Sequence, residues 1–508
     1  MRDSRARTSA LAYRDKGTLG AEHKSTLGAT LRGGSKGALM VVVLAVYANA
    51  LLSSFQFDDY NVIVDNPAVH SLSAWWQSMP GIRPMLKLSY AANWISGAGA
   101  AGFHALNIGV HLVNVLLVFA IARRLLPGLG AAGDSAVPIA LAGAAIFALH
   151  PAQTEAVTYV SGRSVSLMAA FELAALLTWL EARARARKLC WRGASVLFFV
   201  LALAVKENAW SLPFALLLCE ALRPGGTWRG ALARTSAHWA VLLAAACVVV
   251  LVPGYWKLIG ASLEIRTLGE NILTQIGGVF YLLTRPLLAL HLNIDPDLPV
   301  RSAWDAALAA KALLLVAMLV LALWQWRRRP WIGFGILWFF VMLAPTNSVL
   351  PRTDVANDRA LYLALIGPAL MLAVAAHRLL AARPALIALS LLCMLLGAAT
   401  VMRNTDYATE VAMWEDTAAK SPGKARVHNN LGFVYQQAGR RDEAERAYLR
   451  ALALDPAHTK AHWNLESLPS PSVPLNGYSR LRLGIPAGEG GSKPALFRDK
   501  GTLGAQER

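Results

Sequence analysis

Apolar residues along this chain come in long runs separated by short polar stretches. Runs at 38–54, 103–122, 137–149, 164–181, 193–205, 208–222, 236–253, 307–326, 331–345, 360–380 and 384–401 read as membrane helices. A hydrocarbon core of about 30 Å asks for roughly 20 apolar residues per crossing, and several of these runs are shorter, so their ends are expected to shift by a few positions. Residues 271–290 are also apolar enough to cross, but one more crossing would reverse the side of every later loop. That segment is expected to enter and return, turning near Arg285-Pro286, with its backbone buried in protein or lining a cavity. The pattern predicts an all-α polytopic bundle of about 11 transmembrane helices over 38–402.

After residue 402 the apolar runs give way to amphipathic helix. Residues 425–458 carry the spacing of one tetratricopeptide unit, with Leu431, Gly432, Tyr435, Ala444, Tyr448, Ala451 and Pro456 at its small and large positions. Gly432 and Ala444 would let two helices approach closely. Trp414 and Pro422 read as half of a preceding unit, and Ala461, Trp463 and Leu465 start a following one. A repeat array needs about three units to bury a core, so the region 403–466 is expected to lean on the membrane domain or a partner. Segments 1–37 and 467–508 read as disordered, and both contain the octapeptide RDKGTLGA, at 14–21 and 498–505.

Composition agrees with the pattern. Apolar residues make up 56% and charged residues 16% of 508, which excludes an ordinary soluble enzyme as the main body. The net charge of +18 would suit nucleic acid, but the basic residues sit in short clusters between apolar runs, as orientation signals do. The clusters are the N-terminal segment, Arg123-Arg124, Arg183 to Lys188, Arg223 to Arg234, Arg327 to Arg329, and Arg378 with Arg383. All fall on one side, taken as cytoplasmic, and no cleavable leader is evident. The longer loops 55–102 and 254–306, with 150–163, 206–207 and 346–359, fall on the other side, where chemistry is expected. The four cysteines form no CxxC pair, so neither a disulfide framework nor a zinc site is indicated.

Five groups on that face could carry chemistry. Asp58-Asp59 follows the first helix, where adjacent carboxylates raise one member's pKa toward general-base duty. His150, Glu155 and Arg163 fall within one short loop and could act as acid, base and anion clamp. A zinc reading of His150 and Glu155 lacks a further ligand, and a helix cap is the plainer alternative. Arg83 and Lys87 precede a helix on which Asn107, His111 and Asn114 share a face, either lining a cavity or binding neighbouring helices. Lys206-Glu207 is an ion pair between helices, structural or functional. Asp354, Asp358, Arg359 and Tyr362 stand where a loop meets a helix, and the Arg359 guanidinium could hold a lipid phosphate.

In order, FxFDDxxxIxxN at 55–66, RP and FHxxNxxxH at 83–111, HPxxTEAVxxxxGR at 150–163, KE at 206–207 and DRxLYL at 358–363, with an appended repeat, resemble the transmembrane-and-tetratricopeptide-repeat family of O-mannosyltransferase-like proteins. The resemblance covers about residues 38–466 and implies a GT-C-type glycosyltransferase fold. It implies a sugar donor, mannose on a polyprenyl or dolichyl phosphate, and a protein Ser or Thr hydroxyl as acceptor. No cofactor is implied beyond that co-substrate. Carried onto matching positions, Asp58 or Asp59 would be the catalytic base and Glu155 a second acidic residue, with Arg163 and Arg359 on the lipid phosphate. Arg83, His150, Lys206 and Glu207 would belong to the substrate site. The repeat would dock the acceptor, and the protein would sit in a cell inner membrane with the repeat in the periplasm. This sequence departs from the family at Asp358, where Glu is common, at Ala364, where Pro is common, and in its single repeat unit. A membrane-anchored scaffold and a lipid-linked sugar transporter are the rival readings.

Overall fold

The computed structural model describes residues 34–79, 81–223, 227–347 and 349–468, so the readings made for the two termini and their shared octapeptide lie outside the described residues. All described regular structure is helical. Each apolar run named above lies on a helix. Six helices are long and apolar enough to cross a membrane: Gly34–Leu52, Gly99–Leu125, Val160–Glu181, Lys188–Val205, Ala306–Gln325 and Ala382–Asp406. Three more candidates are bent pairs, which raises the number to nine if each pair is one span. The expected number of about 11 includes Leu212–Ala221 and Pro330–Leu343, which at 10 and 14 residues are too short to cross about 30 Å alone.

The bends position the site. Gly133–Leu149 turns by 57° into Pro151–Val157, and Asp358–Ala364 turns by 55° into Ile366–Leu379. At the first bend His150 is extended (φ −74°, ψ 128°), Pro151 cannot donate an amide hydrogen, and the His150 ring caps the restart by accepting from the Ala152 N–H at 3.1 Å. Polar side chains on the Gly99–Leu125 helix then hold the broken segments. Asn107 donates to the Val157 carbonyl at 3.2 Å, His111 meets the Tyr362 hydroxyl at 2.7 Å, and Asn114 donates to that hydroxyl at 2.9 Å and to the Ser166 carbonyl at 2.8 Å. These groups bind helices together rather than line a cavity, as buried polar groups in a bundle often do. At the other end of the bundle, Glu220 accepts from Trp179 and pairs with Arg183, Arg223 and Arg234.

The segment 271–290 turns back at its end, and the Arg301 N–H donates to the Thr274 hydroxyl near its start at 2.9 Å. It is one helix, Leu268–Thr284, started by a Thr267/Glu270 capping box and followed by a non-helical run to Asp305. Asn271 near its start donates to the Val349 carbonyl, and Pro286 past its end accepts from His150. Both ends therefore touch the 346–359 and 150–163 loops, which lie on one face of the bundle. A sequence window sees only mean hydropathy. The helix is amphipathic, with Asn271, Thr274 and Gln275 turned into the protein and Leu268 and Ile272 exposed. The loops 55–102 and 254–306 also contain helices that the apolar pattern did not mark, including Pro84–Ile95 and Pro253–Ile265.

The repeat region forms Glu410–Lys420, Ala425–Gln437, Arg441–Leu454 and Thr459–Glu466. It leans on the membrane domain as expected. Trp414 packs edge-on against Phe57 (ring centroids 5.0 Å apart), Lys420 donates to the Leu292 carbonyl at 2.9 Å, and Ser421 donates to the Asp295 carbonyl at 2.9 Å. Within the hairpin a Cβ on Gly432 would stand 2.6 Å from the Tyr448 ring. Gly432→Ala should therefore force the two helices apart and destabilise the region by about 1–3 kcal/mol. Limited proteolysis in detergent should show cleavage of 410–466 accelerated while the membrane domain keeps its melting temperature.

Candidate active site

The loop face holds two neighbouring spaces that share one side chain. The smaller, about 10 Å3, lies under the repeat region and has Asp58, Glu155, Tyr159, Asp354, Arg359, Trp414 and Arg426 in its wall. It has room for about one water molecule. The larger is an open cavity of about 570 Å3, within the roughly 300–1,000 Å3 of small-molecule sites. Its wall is mostly apolar, with Trp210, Val249, Ile259, Ile265 and Leu350, and it carries Arg83, Lys206, Arg352 and Arg359 against one carboxylate, Glu207. Arg359 stands in both walls.

The two carboxylates of Asp58-Asp59 have different surroundings. Phe57 takes a left-handed conformation (φ 42°), which for a residue with a side chain costs about 1–3 kcal/mol. The surroundings hold it there. Its N–H donates to Glu410 at 2.8 Å, and the Asp58 N–H donates to the Tyr159 hydroxyl at 2.9 Å. This turn carries Asp58 to the small pocket. Asp59 points away from it and joins two loops. One carboxylate oxygen accepts from the Gln56 N–H at 3.0 Å, the other from the Ser161 N–H at 2.8 Å and the Ser161 hydroxyl. Burial pushes Asp59 up to about 7 despite these bonds.

Glu155 and Arg359 join the two bends. One Glu155 oxygen accepts the Arg359 backbone N–H at 2.8 Å, and the other lies 3.4 Å from the Arg359 Nε. The close turn at Gly162 makes this possible, because a Cβ there would stand 2.1 Å from the Glu155 carbonyl oxygen. In the larger cavity Arg83 forms a two-pronged pair with Glu207, with Nε 3.1 Å from both carboxylate oxygens and one terminal nitrogen at 2.8 Å. That pair brings Glu207 below the ordinary carboxylate range although burial acts in the opposite direction. Burial, with Arg359, Arg83 and Arg352 close by, holds the Lys206 amine well below its usual value. Burial and Arg359 bring Arg352 down to about 10. Cations crowded in this way favour an anionic guest.

Two further candidates lie elsewhere. Arg163 reaches neither space. It is buried, donating to Asn107 and Asn93 side chains at 2.7 Å each and to the Ser89 and Phe103 carbonyls, so it clamps helices. His150 is occupied by its cap and by the Pro286 carbonyl at 3.2 Å. Among the described residues no group of three or more His, Cys, Asp or Glu is placed to hold a metal ion. Sequence reasoning missed Arg352, Tyr159, Trp414 and Arg426 as wall residues. For Arg352 a signal existed, a second arginine in the loop that leads to Arg359. For the two repeat residues there was none, because docking is a tertiary fact.

The comparisons with known proteins match this picture. A tetratricopeptide-repeat profile matches residues 425–458. A protein O-mannosyl-transferase of Caenorhabditis elegans is 25% identical over 454 residues, covering 84% of this chain and 64% of its own length. The protein O-mannosyl-transferase TMTC3 of Mus musculus is 22% identical over 490 residues, covering 84% of this chain and 52% of its own. The protein O-mannosyl-transferase Tmtc1 of Drosophila melanogaster is 32% identical over 208 residues, or 36% of this chain and 22% of its own length. No solved structure matches. The chain spans 64% of the length of the first of these relatives and 52% of the second. Two of these matches each cover 84% of the chain and the repeat profile covers 425–458, so the likeness to the transmembrane-and-tetratricopeptide-repeat O-mannosyltransferases read from the motifs holds.

The Asp59 geometry gives a stability test. Asn at this position would meet amide donors on both sides and should lower stability by about 1–3 kcal/mol. The Asp59 carboxyl binds its proton more tightly in the folded chain, about 7 against the ordinary 3.8. Its stabilising contribution is therefore present below pH of about 4 and is lost as pH rises through about 7. Melting temperatures against pH should fall over that window in the parent and less steeply in Asp59→Asn.

Proposed function

We propose that this chain is a membrane glycosyltransferase moving a sugar, mannose by likeness to its named relatives, from a polyprenyl-phosphate donor to a Ser or Thr hydroxyl of a protein. The observation that carries the reading is the position of Arg359 between an apolar, cation-rich cavity and the Asp58 carboxylate. The prenyl tail would lie along the apolar wall, with its phosphate among Arg359, Arg352, Lys206 and Arg83. The acceptor hydroxyl would enter from the Asp58 side.

In the reaction the hydroxyl oxygen attacks the anomeric carbon and the bond to the phosphate oxygen breaks. Asp58 takes the hydroxyl proton, and the departing phosphate keeps the electron pair and stays on the cations. Glu155 orients Arg359 through its backbone and side-chain contacts. Asp59 holds the loop that presents Asp58. The basic clusters at the opposite ends of the helices support an inner-membrane placement with the cavity and repeat on the periplasmic side.

The purified protein, supplied with polyprenyl-phosphate mannose and unfolded periplasmic polypeptides, should label Ser or Thr residues. Asp58→Asn should reduce the rate by about 100-fold or more with little change in melting temperature. Arg352→Gln should raise the donor KM more than it lowers kcat. Full activity in Asp58→Asn, or no transfer from any prenyl-linked sugar, would contradict the proposal.

A further inference from the structure

The start of the repeat reaches into the wall of the small pocket. Arg426, the second residue of the matched unit, holds two carboxylates that belong to the membrane domain. Its guanidinium lies 2.5 Å from Asp295 and 2.5 Å from Asp354. The two acids differ in what else they have. Asp295 is also gripped by Lys424 at 2.5 Å, and the same strand of chain is fixed through Ser421 and Asn293. Asp354 has Arg426 as its hydrogen-bond partner. It stands two residues from Arg352 and shares the small pocket with Arg359. A carboxylate in that position is a rival to any anion that must bind those two arginines.

We propose that Arg426 is a positioning residue of the membrane domain: by holding Asp354 it keeps that carboxylate from competing with the phosphate of a prenyl lipid for Arg352 and Arg359. The repeat is then part of the donor site as well as a surface for other proteins. Its first helix turn completes the electrostatics of the cavity. This rests on the prenyl-phosphate reading given above. The charge argument is specific. Without Arg426, the buried Asp354 carboxylate is left with Lys424, Arg359, Arg266 and Arg352 as the cations around it, and two of these, Arg352 and Arg359, are ones the donor needs.

The test uses the full chain in detergent and farnesyl phosphate as probe, with the dissociation constant read by calorimetry, so that sugar transfer is not required. R426Q should bind about fivefold or more weakly, as expected for a coupled charge pair. R426Q/D354N should return to within about twofold of the parent, because the rival anion is gone. D354N alone should bind at least as tightly as the parent. D295N, which loosens the same docking contact without freeing Asp354, should bind as the parent does. Equal binding by R426Q and the parent would overturn the proposal, as would a double variant as weak as R426Q. If R426Q does not fold, weaker binding by D354N overturns it instead. A parent that does not bind farnesyl phosphate at all contradicts the donor reading itself.

Discussion

The site depends on one buried contact, the Glu155 carboxylate against the backbone and side chain of Arg359. It joins two bent helices far apart in the chain, and a charge pair buried in this way tolerates little change. Removing one partner leaves the other charged and desolvated, at a cost of about 3–5 kcal/mol. Everything around it is arranged to make the contact possible. Gly162 allows the close turn, Asn107 and Tyr362 fix the segments on either side, and Asp59 ties the Asp58 loop to Ser161. The result places a guanidinium where an apolar cavity meets a carboxylate.

That arrangement also explains how one repeat unit can persist without an array. Its inner faces are closed by Phe57, Asp295 and Asp354 of the membrane domain in place of a neighbouring repeat. Ring packing and buried ion pairs supply the contacts that stacking supplies in longer solenoids. In return the repeat roofs the small pocket with Trp414.

Much of the architecture could be read from the chain itself, because membrane helices are written in long apolar runs and each of those runs is helical. The bends were not legible as bends, since a 57° turn at His150 depends on which neighbours satisfy the freed backbone. The two faces of the helix Leu268–Thr284 were not legible, because hydropathy averages over both. For the site, residue types and order indicated the right loops but not the roles. Asp58 and Asp59 are adjacent in sequence and have different tasks, and only the left-handed turn at Phe57 separates them. Arg163 and His150 had suitable chemistry, but the structure uses both to hold helices. Arg426 could not be found from sequence because its meaning depends on a docking surface more than 70 residues away in the chain.

The central claim is that the cavity around Arg359 receives the phosphate of a prenyl lipid beside Asp58. An electron-microscopy structure of the protein with bound prenyl phosphate tests this most directly. The account requires phosphate density within hydrogen-bond reach of Arg359 and Arg352, the tail along the apolar wall, and Asp58 facing the phosphate. A head group bound at the Arg183–Glu220 end of the bundle, or density anywhere that leaves this cavity empty, would contradict it.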